Sequence, residues 1–579
     1  MNARTRRILL LATAALLIGG AAAATHVALA AMHLRDGLRE ADAAATVAMG
    51  ALGRGDLAAT EAAVREATTA ATDAAPADPL WRIAEAVPMI GPNLSAARVA
   101  AEGLGRLGND VATPLLDAAR SLEGADPRAA LEALRESATR LDAAERARTA
   151  VADEVARVPR EHLVAEVAAG LDTLSDAVSR LAPITQTASS AASLLPAILG
   201  ADGERTILLL VQNPAELRTG GGITGSFVEL RAVDGEVTLS AQRDSSRFAP
   251  AAAPILPLPV GEQRALGDGI GRFVQNASMT ADFALTARLA SAWWESDGFA
   301  APDVVVSLDP IVLAAVLGPL GSVDTAAGPF GPGDVVDHLL VEPYLTLSPD
   351  GQTDRFADVA GAVVSALATR AEPLAIAVAL REPIGEGRLS VWSRHPHEQA
   401  ILGGTALAGP RARLEQAGAD AFAVYFNDAT GGKLTPYLDV ALAVRTGTCR
   451  VDRLPEVEVE VQLASRLPVD AADVLPISVT GGGLWGATSG FIAPTVSVVA
   501  PPGWFAGGVR VDGEPVSAVS VSDGDRPAVT RRTDVRPSTA RTLTFRFISP
   551  ARAAAEPAVL HTPLLAPLEV TRAPLDCAG

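Results

Sequence analysis

Apolar positions along this chain fall into three textures. The first is a single unbroken run. Between Ile8 and Ala31 the only polar side chains are Thr13, Thr25 and His26; Arg4, Arg6 and Arg7 precede the run and the next charge is Arg35. A helix of about 20 residues crosses a bilayer, and positive charge on the leading side keeps that side in the cytoplasm. The pattern predicts a transmembrane anchor over 1–31, with the N-terminus cytoplasmic and the bulk of the chain extracytoplasmic. Ala28-Leu29-Ala30 also resembles a signal-peptidase site, so a segment cleaved after Ala30 is the competing reading; signal cores are usually shorter, at about 7–15 residues. No later stretch is long and apolar enough to span, which predicts a single-pass protein.

The second texture, over 32–200, is Ala-, Leu-, Arg- and Glu-rich with loosely helical spacing at Leu131, Leu134, Leu141, Val151, Val155 and Val158. Prolines at 76, 79, 88, 92, 159 and 196 punctuate it. A helical stalk or bundle follows. From Arg205 strands appear: Thr206–Val211, then Ser226–Val233 and Glu236–Ala241 joined by the turn Asp234-Gly235. A helix over Asp282–Glu295, a buried strand at Asp303–Leu308 and a helix at Pro310–Leu317 come next, then helical stretches at 334–345, 356–372 and 396–418 and strands at Ala421–Phe426 and Tyr437–Val444. This predicts a central mixed α/β domain over 201–450. Beyond Pro455 only short β-branched runs between Gly/Pro turns remain, at Val457–Val461, Val496–Val499, Ala518–Val521 and Thr542–Phe547. They predict a β-sandwich over 451–579. The fold class read from the sequence is therefore multidomain α+β, with an N-terminal transmembrane helix, a helical stalk, a central mixed α/β domain and a C-terminal β-sandwich.

Composition changes this picture in two places. Hydrophobic residues make up 49% and aromatic residues 4%, so the cores are built largely from alanine and aliphatic side chains. The net charge of −19, with Lys433 as the sole lysine, argues against nucleic-acid binding, which needs a basic face. The two cysteines, Cys449 and Cys577, have no CxxC spacing for zinc. They read as two buried thiols or, in an exported chain, as a disulfide closing a long loop.

The chemical motifs are few. Thr219–Ser226 (TGGGITGS) formally matches G-x-G-x-x-G at Gly220, Gly222 and Gly225, but a strand follows where a dinucleotide site needs a helix N-terminus. Ser226 stands where a P-loop needs lysine. An anion held by loop amides at Gly221 and Gly222 beside Arg218 is the reading that survives, against a plain tight turn. Arg243-Asp244-Ser245-Ser246-Arg247 could clamp phosphate while Asp244 holds a metal, or form a solvated loop. His395-Pro396-His397-Glu398 lacks i, i+4 ligand spacing and reads as a helix start. Trp293 and Trp294 read as core packing.

Leu208–Leu230 (LLLVQNPAELRTGGGITGSFVEL), Val304–Gly318 (VVVSLDPIVLAAVLG), Asn427–Leu438 (NDATGGKLTPYL) and Leu80–Ala100 together resemble a family of bacterial, mostly actinobacterial, single-span membrane proteins known as a domain of unknown function. That resemblance implies export and anchoring and supplies no activity. The order of segments over 205–372 is also similar to the LytR–CpsA–Psr phosphotransferases, which attach lipid-pyrophosphate-linked glycopolymers to the cell wall. The corresponding pieces are Thr206–Val211, Arg243–Arg247, Val304–Asp309 and Asp354-Arg355-Phe356; the enzymes' aspartate-rich opening and paired arginines before the last helix are not matched.

Three functions follow as expectations. One is an envelope protein that binds or places a cell-wall glycan or a polyprenyl pyrophosphate lipid. Another is a phosphotransferase, with Arg218, Arg243, Arg247 and Arg355 neutralising the pyrophosphate and Asp244 holding Mg²⁺. The third is an envelope scaffold. Convergence of those arginines in one pocket separates the second from the others.

Overall fold

The computed structural model describes the backbone of all residues except 1–2, 77, 89, 371, 552–556 and 578–579; the side chains of 3–19, 373 and 374 are also outside the description. The chain divides into two compact units, Met1–Pro196 and Ala197–Gly579.

The first unit is helical: α1 (Ala3–Gly53), α2 (Leu57–Ala74), α3 (Pro79–Glu85), α4 (Gly91–Arg106), α5 (Thr113–Leu122), α6 (Pro127–Arg157) and α7 (Ala165–Ile198, whose end enters the second unit). Sequence punctuation sets the boundaries. Asp56, Asp78 and Asp126 cap α2, α3 and α6 through their side chains, with Pro79 and Pro127 in the first turns. A π-helical turn, Leu107–Ala112, joins α4 to α5. Its Leu107 and Val111 pack with Val151, Val155, Leu174 and Val178 of α6 and α7.

This unit corrects the expected transmembrane anchor over 1–31. Helix α1 does not stop at 31 but runs on to Gly53. Among the described residues no helix is long and apolar enough to cross a membrane. The side chains of the first part of the apolar run, up to residue 19, lie outside the described residues. In its later part, Val27, Ala30 and Ala31 pack with Leu34 against Trp81 and Ala101, and His26 pairs with Asp78. Val27, Ala30 and Ala31 thus face protein, whereas His26 and Leu29 are exposed. Alanine, which lengthens the run in sequence, suits close helix packing.

The second unit contains a mixed sheet and a sandwich. The mixed sheet has the order β3-β2-β1-β4-β7, from β1 (Arg205–Asn213), β2 (Ile223–Val233), β3 (Glu236–Asp244), β4 (Val304–Leu308) and β7 (Leu389–Ser393). Only β1 and β4 are parallel. The β2–β3 turn has Asp234 at φ 49° and Gly235 at φ 85°, the left-handed pair that a two-residue hairpin needs. Between β3 and β7 the chain forms α8 (Val260–Leu266), α9 (Gly269–Arg272), α10 (Phe283–Ser296), α11 (Pro310–Leu320), the hairpin β5–β6 (Val323–Thr325 and Gly328–Phe330), α12 (Glu342–Thr346), α13 (Pro349–Arg370) and α14 (Pro373–Glu386). Helix α10 covers one face, where Trp293, Trp294, Ala287 and Ala290 pack on Leu208, Leu210, Phe227 and Val305. Trp294 is fully buried, and its Nε1 donates to Glu229 Oε2 at 2.9 Å. Trp294→Phe should cost about 1–3 kcal/mol, because Glu229 keeps its burial and loses a donor. Equilibrium unfolding in guanidinium checks this; a loss within a few tenths of a kcal/mol would show that the bond is dispensable.

Past α15 (Pro396–Gly403) and α16 (Pro410–Gln416), two sheets share one core. One has the order β13-β12-β16-β10-β9-β18 and the other β14-β15-β11-β8-β17. Their strands are β8 (Phe422–Asp428), β9 (Leu438–Gly447), β10 (Glu456–Ser465), β11 (Pro494–Val499), β12 (Phe505–Val511), β13 (Glu514–Val516), β14 (Val519–Asp523), β15 (Arg526–Arg532), β16 (Ala540–Ile548), β17 (Val559–His561) and β18 (Val570–Pro574).

The sandwich thus begins near Phe422, not at 451, and the expected boundary is corrected. Strand β8 is buried on both faces. Phe422, Val424 and Phe426 enter the sandwich core, while Ala423 and Tyr425 pack with Ala281 and Leu414 outside it. A strand covered on both sides reads as a continuous apolar run, as parallel α/β strands do. Cys449 and Cys577 are joined in a disulfide that links the ends of the adjacent parallel strands β9 and β18.

Candidate functional site

The carboxyl ends of β1 and β4 lie on one edge of the mixed sheet, the edge at which open α/β sheets most often present ligand sites. At that edge the resemblance-bearing segments 208–230 and 427–438 meet. The turn after β1 docks on the end of β8 through backbone bonds, Asp428 N to Leu217 O (2.8 Å) and Thr435 N to Ala215 O (3.0 Å). Arg218 is 5% exposed. Its guanidinium donates to Glu216 Oε1 (2.7 Å), Asn276 Oδ1 (3.1 Å), Leu217 O (2.9 Å) and Asp428 O (3.1 Å). The other oxygen of Glu216 lies 3.8 Å from Lys433 Nζ, which stands 4.7 Å over the ring of Tyr344. Asn213 Nδ2 donates to the Tyr344 hydroxyl at 2.5 Å, and burial raises that hydroxyl's pKa.

Asp428 completes the cluster. Its Oδ2 accepts from Thr430 N (2.7 Å), Thr430 Oγ1 (2.6 Å) and Gly431 N (3.0 Å). Burial, with the charge of Glu216 added, pushes its carboxyl from 3.8 up to about 6 against the opposing pull of Arg218 and Thr430. A carboxyl whose pKa is higher folded than unfolded favours the fold at low pH. Stability should therefore fall as pH rises from about 4 through about 6, by about 3 kcal/mol from this group. Asp428→Asn should flatten that window in unfolding curves measured at pH 4 and pH 7. An unchanged pH slope would assign it to other groups.

Of the expected anion cradle of Arg218, Gly221 and Gly222, the Arg218 guanidinium and the Gly221 amide are turned to partners within the protein. The loop amides are engaged internally: Thr219 N on Asn427 Oδ1 (3.0 Å), Gly220 N on Ser278 O (3.0 Å) and Gly221 N on Arg218 O (2.8 Å). A Cβ on Gly222 would lie 2.4 Å from the backbone of Asn213, so glycine here permits close backbone approach.

The remaining candidates are not brought together. Arg243 donates to Asp297 Oδ2 (2.9 Å) and lies 4.7 Å over Phe299. Arg247 is exposed on a short 3₁₀ turn. Arg355 is 3.8 Å from Glu342. Asp244 accepts from Ser246 N (2.8 Å) and so caps the turn. Among the described residues no group of His, Cys, Asp and Glu is placed to hold a metal ion. Asp309 caps α11 and forms a buried ion pair with Arg388 at 2.7 Å. His395 contacts Asp303 at 3.1 Å, just ahead of α15.

A cleft of about 290 Å³ adjoins the cluster through Thr219 and Asn427. Helix α8 and residues 279–282 form one wall, and strands β8, β11, β14 and β15 form the other. Arg411, on α16, reaches into it and holds Glu262 (3.0 Å), Asp282 (3.1 Å) and Asp523. Thr280 Oγ1 donates to Glu262 at 2.7 Å. Burial raises the pKa of Glu262, outweighing the bond from Thr280, and the charges of Asp523 and Asp282 push the same way. Ser497 and Thr530 pair their hydroxyls at 2.9 Å across β11 and β15. Leu266, Met279, Val499 and Val521 supply apolar surface. Sequence reasoning missed this cleft. Glu262, Asp282, Arg411 and Asp523 lie far apart in the chain and carry no local pattern.

Residues 202–344 match a family model described as a protein of unknown function (DUF4012). The match includes the Asn213–Arg218 turn, the glycine loop and Tyr344, and it stops before the Asn427 segment. A search of curated proteins finds no match. Among solved structures, the Lin1025 protein from Listeria innocua is similar at 8% identity and a TM-score of 0.21, over 35% of this chain and 79% of that one.

Proposed function

We propose that this chain is an exported cell-envelope protein that binds a glycan in the cleft around Arg411, without group transfer. The observation that carries the reading is the cleft itself, where a guanidinium, carboxylates and paired hydroxyls line one space beside apolar side chains. Pockets of this make-up hold a ligand by apolar contact and orient it with a few polar groups. Export is supported by the Cys449–Cys577 disulfide, since such bonds persist mainly in oxidising compartments. Phosphotransfer is disfavoured because three of the four arginines it needs have separate partners and the fourth, Arg247, is exposed on a short turn. Arg218 is enclosed by Glu216 and Asn276, Arg243 is held by Asp297, and Arg355 is nearest Glu342.

The test is co-sedimentation of the full chain with insoluble cell-wall glycan, alongside Ala265→Trp. Ala265 lines the cleft and is half-buried, so the indole should fill the space at little cost to stability. Wild type should sediment and Ala265→Trp should stay in solution. Equal sedimentation of the two, or none by wild type, would refute the assignment.

A further inference from the structure

We infer that the cleft selects a glycan unit carrying a free amine. The inference rests on the glycan-binding reading and names the feature of the ligand that the cleft would recognise.

Charge is the first argument. Glu262, Asp282 and Asp523 line the cleft with Arg411 as the sole cation among its lining residues, so one guanidinium faces three carboxylates. Two further cations act on Tyr425 without lining the space: Arg413 donates to the backbone carbonyl of Gly385, and Arg526 donates to those of Ala421 and Gly418. The carboxylates are also incompletely used. Arg411 takes Glu262 Oε1 and Asp523 Oδ1, while Glu262 Oε2 and Asp523 Oδ2 accept no hydrogen bond among the described residues. Asp282 differs, because its Oδ1 caps α10 at Leu285 N (3.0 Å). Two carboxylate oxygens therefore remain for a cationic donor.

Chemistry narrows the cation. No described group is arranged to hold a metal ion, which favours an organic ammonium with its fixed N–H donors. The Tyr425 phenol is committed to Pro410 O at 3.3 Å, but the Ser497–Thr530 pair shares one hydrogen bond and so keeps a second hydroxyl proton and further lone pairs, neutral bonding capacity that a ligand hydroxyl matches on both counts. A phosphate or a carboxylate on the ligand would meet the surplus negative charge and be repelled. An amine-bearing sugar matches both the surplus oxygens and the hydroxyls.

The test is calorimetric titration of the full chain with a glucosamine tetramer, its fully N-acetylated counterpart and spermidine. The free-amine tetramer should bind about tenfold tighter than the acetylated one, the scale of one charge-assisted hydrogen bond. Glu262→Gln with Asp523→Asn should remove that preference by lowering the free-amine tetramer to the affinity of the acetylated one, a retained cooperative unfolding transition showing that the variant is folded; a preference that survives in the folded variant would overturn the inference. Equal affinity for the two tetramers would overturn the amine inference and leave glycan binding standing. Spermidine binding as tightly as the tetramer would reduce the effect to general attraction by an acidic chain and overturn it too. If neither tetramer binds while the chain still sediments with wall glycan in an Ala265-dependent way, the inference fails and the glycan reading stands. Loss of sedimentation as well removes both.

Discussion

Arg218→Ala should destabilise the second unit by about 3–5 kcal/mol, the usual cost of leaving a buried charge without its partner. The side chain donates to Glu216 and Asn276 and to the carbonyls of Leu217 and Asp428. Removing it leaves Glu216 with Lys433 at 3.8 Å as its remaining counter-charge, and it strips both carbonyls of a donor. It also takes away the cation that opposes the rise in the Asp428 carboxyl, which should move further up. The double variant Arg218→Met with Glu216→Gln should recover much of the loss, since removing both charges spares the fold an unpaired one. Urea unfolding followed by tryptophan fluorescence gives both numbers. A single variant within 1 kcal/mol of wild type would mean that water reaches the cluster and that the junction of mixed sheet and sandwich is held elsewhere.

The second large effect is expected at the disulfide. Cys449 and Cys577 are 128 residues apart, so the bond closes a loop that contains most of the sandwich. Loop-closure entropy of that size corresponds to roughly 5 kcal/mol of stabilisation. Cys449→Ser with Cys577→Ser should lower stability by up to that amount, and reductant should do the same to wild type without affecting the variant. The loss should concentrate where β18 pairs with β9, since that is where the bond sits. Amide exchange would locate it, and unchanged protection of β18 after reduction would argue that the strand holds by its ladder alone. The same pair of strands gives an in-cell readout. Chain recovered under rapid alkylation should carry no label on either cysteine until it is reduced.

Much of the local structure was legible because it rests on short-range chemistry. Asp234-Gly235 fixes a two-residue hairpin, and both residues adopt the left-handed backbone it requires. Asp309 before Pro310 starts α11, and Asp282 caps α10. What failed rests on context. The apolar run before residue 31 reads as an anchor because hydropathy cannot tell lipid from protein; Trp81 and its neighbours, some fifty residues later, account for part of it. Strand β8 was assigned to the wrong layer because burial on both faces erases alternation. Arg218 was read as free for an anion because its closest partner, Glu216, is two residues away and looks like an ordinary loop charge. The cleft was invisible for a different reason. Its charged residues come from four elements or their edges, and proximity there is a product of the tertiary fold alone.

The single lysine has a practical meaning. Lys433 packs between Glu216 and Tyr344, and Leu434, on the far side of the next peptide bond, is 1% exposed. A protease that cuts only after lysine has one scissile bond in the whole molecule, placed where mixed sheet and sandwich join. Cleavage of the folded chain must await opening of that junction, so the rate of appearance of two fragments becomes a clock for a local event. Nature has left in this sequence a built-in reporter: ligands that brace the cleft beside it should slow the clock, and no label has to be attached to read it.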